Sequence, residues 1–98
     1  MRRAAKRDVN HKDVGDFLRS LGWSVLDLAD HGDGVPDYAV SKDGYCALLE
    51  VKKPGPPSAR KLTVREEEIR KGWQGGYVVA QSGEEAAAEL LMLSRGWI

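Results

Sequence analysis

Two carboxylates and one ammonium in this 98-residue chain have spacings that bring them to one surface. Between Val35-Pro36-Asp37 and Leu49-Glu50-Val51-Lys52, the dipeptide Asp43-Gly44 separates two β-rich runs, which is a strong hairpin signal. With Asp43 and Gly44 as a two-residue loop, Lys42 faces Tyr45 and Asp37 faces Glu50. Facing side chains have Cβ atoms roughly 5 Å apart and like charges there repel, so the pair calls for a cation. Lys52 projects from the same face as Glu50 by the strand's period of two. The three groups form a candidate metal-dependent active site. Mg²⁺ takes oxygen ligands at about 2.1 Å, commonly one or two carboxylates with water and substrate phosphate. Asp37 and Glu50 supply the carboxylates, and the Val51 backbone carbonyl is a further oxygen. Such an ion polarises a phosphate, lowers the pKa of an attacking water and stabilises the leaving oxygen. Lys52 suits either of two roles: stabilising charge at phosphorus, or positioning and deprotonating the water. His11 and His31 have no metal-ligand spacing with a cysteine pair, so zinc is not indicated. An acid followed two places later by lysine is common on solvated strands; registration against Asp37 lifts this one above that background.

The elements that must hold these groups follow from periodicity. Val14, Phe17, Leu18 and Leu21 repeat at helical spacing, predicting an amphipathic helix over about 10–21 that ends at Gly22. Trp23–Leu28 reads as a first strand and His31–Gly34 as a loop. The hairpin supplies two more strands, the later with Tyr45, Ala47, Leu49 and Val51 on one face and Cys46, Leu48, Glu50 and Lys52 on the other. Apolar residues on both faces mark a central strand, with Cys46 expected as a small core residue. Three of the four prolines fall in Lys53–Lys61, predicted as irregular loop. Thr63-Val64-Arg65-Glu66 is a capping-box pattern opening a second helix, with Ile69 and Trp73 on its buried side. Tyr77–Ala80 reads as a fourth strand. Ser82-Gly83-Glu84-Glu85 repeats the cap before a third helix whose Leu90, Leu91 and Leu93 pack inward and which Gly96 stops. The expected fold is α/β, in the order α-β-β-β-α-β-α, with the last two strands parallel through a right-handed crossover.

Length suits one domain over 1–98, with residues 1–7 as a flexible basic arm. The single cysteine excludes an internal disulfide. No run approaches the roughly 18 apolar residues of a membrane span, and no secretory signal is evident; a cytoplasmic location is expected. The formal net charge of zero conceals segregation. Residues 1–12 carry five basic residues against Asp8, residues 13–50 carry eight acidic residues against Arg19 and Lys42, and residues 51–71 carry seven basic residues against three glutamates. Basic segments flanking a carboxylate cluster suit a polyanion held beside a metal, though ordinary solvated surface explains charge alone equally well.

Gly34-Val35-Pro36-Asp37, Leu48-Leu49-Glu50-Val51-Lys52, Pro57-Ser58-Ala59-Arg60-Lys61-Leu62-Thr63 and Trp73-x-Gly75 resemble the virus-type replication-repair nuclease (VRR-NUC) domain of the PD-(D/E)xK nuclease superfamily. The likeness runs from about Arg7 to Glu85 and is similar to the minimal stand-alone form of phage and prophage genes. It implies a restriction-endonuclease-like core, a mixed four-stranded sheet flanked by helices, Mg²⁺ or Mn²⁺ as cofactor, and phosphodiester hydrolysis in DNA within a bacterial or phage-infected cell. Asp37, Glu50 and Lys52 carry over as the catalytic core.

Two positions depart from that pattern. His11 stands where a glutamate is common in the family, and either ligates the metal, contacts phosphate or is a plain exposed helix histidine. Glu66 stands where glutamine is usual, and either accepts a proton, binds metal through water or serves only the Thr63 cap. The resemblance assigns DNA contacts to Lys53, Arg60, Lys61 and Arg65, with Arg2, Arg3 and Arg7 auxiliary; such phosphate contacts position without reading sequence. It also implies a homodimer on branched DNA, as in Holliday-junction resolvases; the apolar Val9, Trp97 and Ile98 are candidate dimer surface, although core packing explains them as readily. A less selective nickase or flap nuclease is the rival enzyme, and a catalytically weak DNA-binding or assembly module the rival of another class.

Overall fold

A computed structural model describes residues 9–96; the arm with Arg2, Arg3 and Arg7, and the C-terminal Trp97 and Ile98, lie outside the described residues. The chain runs α1 (Val9–Ser20), β1 (Ser24–Asp27), β2 (Tyr38–Lys42), β3 (Tyr45–Val51), α2 (Val64–Gly72), β4 (Gly76–Ala80) and α3 (Gly83–Arg95). It is an α/β fold with one mixed four-stranded sheet in spatial order β1-β2-β3-β4, antiparallel at the first two junctions and parallel at the third. No helix among the described residues is long and apolar enough to cross a membrane.

Local rules account for the joints. α1 closes in a Schellman motif: Trp23 N–H donates to Leu18 O and Gly22 N–H to Arg19 O, with Gly22 at φ +96° and both Leu18 and Trp23 buried. Asp43 and Gly44 both have positive φ, 53° and 86°, the type I′ geometry whose twist matches a two-residue hairpin. β2 and β3 accordingly pair Lys42 with Tyr45 and Tyr38 with Leu49, and the next facing pair is Asp37 and Glu50.

One face of the sheet is the core. Tyr38, Val40, Tyr45, Ala47, Leu49, Val51, Val78 and Ala80 pack with Val14 and Leu18 of α1 and Ala86 and Leu90 of α3. The two helices meet so closely that a Cβ on Gly83 would lie 2.7 Å from the Phe17 ring. The opposite face is more open, with Leu26 62% exposed and Cys46 exposed. Cys46 is therefore not a core residue: strict alternation buries its neighbours Tyr45 and Ala47 and turns it outward.

Three more expectations change. α2 has no buried residue; Ile69 is half-buried and Trp73 is 44% exposed. Trp73 is the C-cap in extended backbone, so it has left the helical period, and its indole N–H donates to Gly76 O instead. In α3 only Leu90 of the three expected leucines is buried, while Leu91 and Leu93 are exposed, because Ala86 and Leu90 define the inward stripe. The proline loop holds a 3-10 turn at Pro57–Arg60.

Candidate active site

The site forms at the open end of the hairpin, where β3 leaves the sheet beside α1 and α2. Asp37 follows Pro36 just before β2, and its Oδ2 accepts the Val51 N–H at 2.8 Å. A carboxylate thus closes the ladder end that the backbone leaves open. Glu50 faces it from β3 and is only 6% exposed. Lys52 lies one step beyond the strand, its N–H on Ala80 O, and its ammonium sits 3.6 Å from Glu50 Oε2 and 2.8 Å from Glu66 Oε1.

Glu66 reaches this point because α2 begins with a closed capping box. Thr63 Oγ1 accepts from Glu66 N–H and Glu66 Oε1 accepts from Thr63 N–H, so the cap fixes the same oxygen that holds Lys52. α1 closes the other side. Asn10 donates its amide to Lys52 O at 3.0 Å, Tyr38 donates its hydroxyl to His11 O at 2.7 Å, and His11 Nε2 lies 3.2 Å from Val51 O and 3.7 Å from Asp37 Oδ2. His11 is not a plain exposed helix histidine: its side chain is 20% exposed and turned into the site.

Three carboxylates against one ammonium give a charge deficit in a poorly solvated place, and the proton affinities record it. Burial, followed by the charges of Asp37 and Glu66, pushes Glu50 up to about 8. Burial also raises Asp37, outweighing the Val51 hydrogen bond and His11. Burial works against the charge on Lys52, but the Glu66 hydrogen bond and the two glutamates win and raise it. Burial likewise opposes the charge on Glu66, yet Lys52 and the Thr63 N–H hold it low. Lys52 is consequently an ammonium at neutral pH, which favours charge stabilisation over proton abstraction in this state.

No protein-family model, no curated protein and no solved structure matches the chain. The chemistry must be read from the geometry.

Oxygen donors dominate, as Mg²⁺ or Mn²⁺ requires, and a divalent charge would offset the deficit of two. Asp37, Glu50 and the Val51 carbonyl fit such an ion in donor type and charge. Among the described residues no group of three or more His, Cys, Asp or Glu side chains is gathered as a ready cage, so an ion here would need water or other oxygens to complete its shell.

The expected DNA contacts divide. Lys53 and Lys61 are exposed. Arg60 is ion-paired with Glu85, and Arg65 with Asp33 and with Glu68 one helical turn on, so these two are already engaged, Arg60 and Arg65 each by a carboxylate far off in sequence. Tyr77 is a residue that sequence reading passed over. It pairs with Leu48 across the parallel junction, on the face that carries Glu50. Its hydroxyl is buried without a hydrogen-bond partner among the described residues. Burial, and after it the charges of Glu50, Glu66 and Asp37, raise it to about 12. Only the register of β4 on β3 could have found it.

Proposed function

We propose that this protein is a divalent-cation-dependent, structure-selective DNA endonuclease of the VRR-NUC type, with the restriction-endonuclease-like core that the resemblance implies. The proposal includes action as a homodimer on branched DNA such as Holliday junctions, in a bacterial or phage-infected cell. The observation that carries the reading is the convergence of Asp37, buried Glu50, the Val51 carbonyl and Lys52 at one strand end. Mg²⁺ or Mn²⁺ held by Asp37, Glu50 and the Val51 carbonyl would supply Lewis acidity toward a phosphate oxygen and an activated water. The chain's own groups do the rest. The Val51 N–H orients Asp37, Asn10 fixes the backbone carbonyl of Lys52, and the Thr63–Glu66 cap aims the ammonium. From there Lys52 stabilises charge developing at phosphorus. Exposed Lys53, the residue after Lys52, and Lys61, two residues before Thr63, suit backbone phosphates.

One observation favours a second reading, a DNA-binding or assembly module of low catalytic power: Glu66 holds Lys52 at 2.8 Å and competes with substrate for it. Incubation with labelled four-way junction, flap, duplex and single-stranded DNA, in Mg²⁺, Mn²⁺ or EDTA, separates these. Cation-dependent cutting that prefers the junction supports the proposal, and equal cutting of all substrates supports a nickase. Binding without cleavage under every cation supports the module.

A further inference from the structure

We infer that Gly34 and the Arg65–Asp33 ion pair latch the loop carrying Asp37 to the helix carrying Glu66, which makes Asp33, Gly34 and Arg65 positioning residues of the site. The inference rests on the nuclease reading above and deepens it, because it moves Arg65 from the DNA contacts to the parts that set the carboxylates.

Loop and helix touch directly. A Cβ on Gly34 would lie 2.8 Å from Arg65 Cβ and 2.9 Å from the Arg65 carbonyl carbon, so only glycine lets this loop lie against the helix backbone. Its φ of +83° asks for glycine as well. Gly32 and Asp33 precede it at +66° and +55°, and Val35 N–H closes the turn by donating to Gly32 O. Side chains cross the same junction. Arg65 Nε and Nη2 reach the two oxygens of Asp33 at 3.3 Å each, and Nη1 donates to Glu68 at 2.8 Å. The guanidinium fork matches the carboxylate, and the Arg65 hydrogen bonds and charge hold Asp33 below the ordinary carboxylate range.

What the junction joins gives it a role. Gly34 is followed by Val35, Pro36 and then Asp37, with φ at Pro36 fixed by its ring. Arg65 is the residue before Glu66. α2 has no buried residue, so apolar packing seats it weakly and its place beside β3 rests on polar contacts at its first turn. Glu66 with Lys52 is one such contact, and Arg65 with Asp33 is another. Because the second ends on the loop of Asp37, a shift of α2 carries to Asp37 and a shift of the loop carries to Glu66. An exposed ion pair adds little to global stability, yet a misplacement of about 1 Å in a site costs about 10²-fold in rate.

The two roles open to Arg65 give opposite results. If it contacts phosphate, Arg65→Ala weakens DNA binding and Asp33→Ala, which frees the guanidinium, strengthens it. If it is a latch, the two variants move together: each slows turnover of pre-bound junction DNA by about 10-fold, and the double variant is no slower than either. DNA affinity then stays within about threefold throughout, and Gly34→Ala slows turnover by about 10²-fold. Larger, opposite shifts in affinity with turnover unchanged overturn the latch.

Amide hydrogen exchange of the full chain, free of cation and DNA, tests the same coupling without activity. Val51 N–H donates to Asp37, so Arg65→Ala, a change made in α2, should speed its exchange by about 10-fold. The Trp23 N–H that closes α1 on Leu18 O should keep its wild-type rate, which shows that the variant is folded. A Val51 amide unchanged in Arg65→Ala overturns the inference whatever the activity. If the wild-type protein cuts no DNA, the nuclease reading fails and the exchange result still decides the latch.

Discussion

Two helices in this chain open with the same short pattern, Thr63-x-x-Glu66 and Ser82-x-x-Glu85, and put it to different ends. In both, the hydroxyl accepts the glutamate N–H at 3.1 Å. In both, the glutamate carboxylate takes a backbone N–H and a basic side chain. Glu66 turns back onto its own cap and grips Lys52, the pair being 14% and 16% exposed beside Glu50. Glu85 reaches one residue further, to Gln81 N–H, and holds the more exposed Arg60. Gln81 in turn donates to the carbonyls of Lys53 and Gly55. The second cap pins the proline loop over the start of α3, whereas the first aims an ammonium at the buried Glu50. A capping box states where a helix begins; what its carboxylate does is settled by the cation that folding brings to it.

The largest separation between the two regions is expected from the carboxylates themselves. Asp37→Ala or Glu50→Ala should reduce DNA cleavage by at least ~10³-fold with the fold retained, whereas Glu85→Ala should leave the rate within about threefold. Cleavage surviving in either of the first two variants removes them from the site. Lys52→Met comes next, with a rate loss of about 10²-fold measured on a pre-bound substrate; an unchanged rate would make the ammonium purely structural.

Acid–base behaviour sets Glu50 apart from both cap glutamates by sign. Glu50 is raised from 4.5 to about 8, so between those values the folded protein keeps a proton that the unfolded chain has released. Stability from this group therefore falls as pH rises through that window. Glu66 and Glu85 are both lowered, and their contribution is lost instead as pH falls below the ordinary carboxylate range. Urea melts of cation-free protein from pH 5 to 8 should show the decline, and Glu50→Gln should flatten it. A decline that persists in that variant would assign it elsewhere.

Glu66→Gln should then lower the cleavage rate by about 10-fold, since it keeps the cap but exchanges the charge-assisted bond that aims Lys52 for a neutral one; a faster rate would show instead that Glu66 competes with substrate for the ammonium. Glu85→Gln, the matched change, should not alter the rate at all. The smallest effect is the one the caps share: Thr63→Ala and Ser82→Ala should each cost about 1 kcal/mol in urea denaturation. Of the two, only Thr63→Ala should also slow cleavage, and equal rates for both would erase the distinction drawn between the helices.

How much of this was legible in advance varies residue by residue. The Asp43-Gly44 turn declares its own type and, through the period of two, places Asp37 opposite Glu50. Both caps were legible because their hydrogen bonds span three residues. Cys46, Leu91 and Leu93 were misassigned because an apolar residue says that burial is favourable and leaves open which face is covered. In this fold α1 and α3 cover the same face of the sheet, leaving the Cys46 side more open. Arg60 and Arg65 looked available to phosphates, since their partners Glu85 and Asp33 stand far off in sequence and meet them only through packing.

The amino-acid sequence by itself determined the hairpin, its register and the start of each capped helix, because steric preference and hydrogen bonding act there over a few residues. It thereby determined that Asp37, Glu50 and Lys52 share a surface. Tertiary structure alone decided that the first turn of α1 docks on the end of β3, which carries His11 to Val51 and Asp37. It also decided that β4 sets Tyr77 beside the carboxylates and that α2 delivers Glu66 to Lys52. Those contacts bridge fourteen to forty residues, and their positions depend on how the apolar faces of helices and sheet pack together, a property no local window contains.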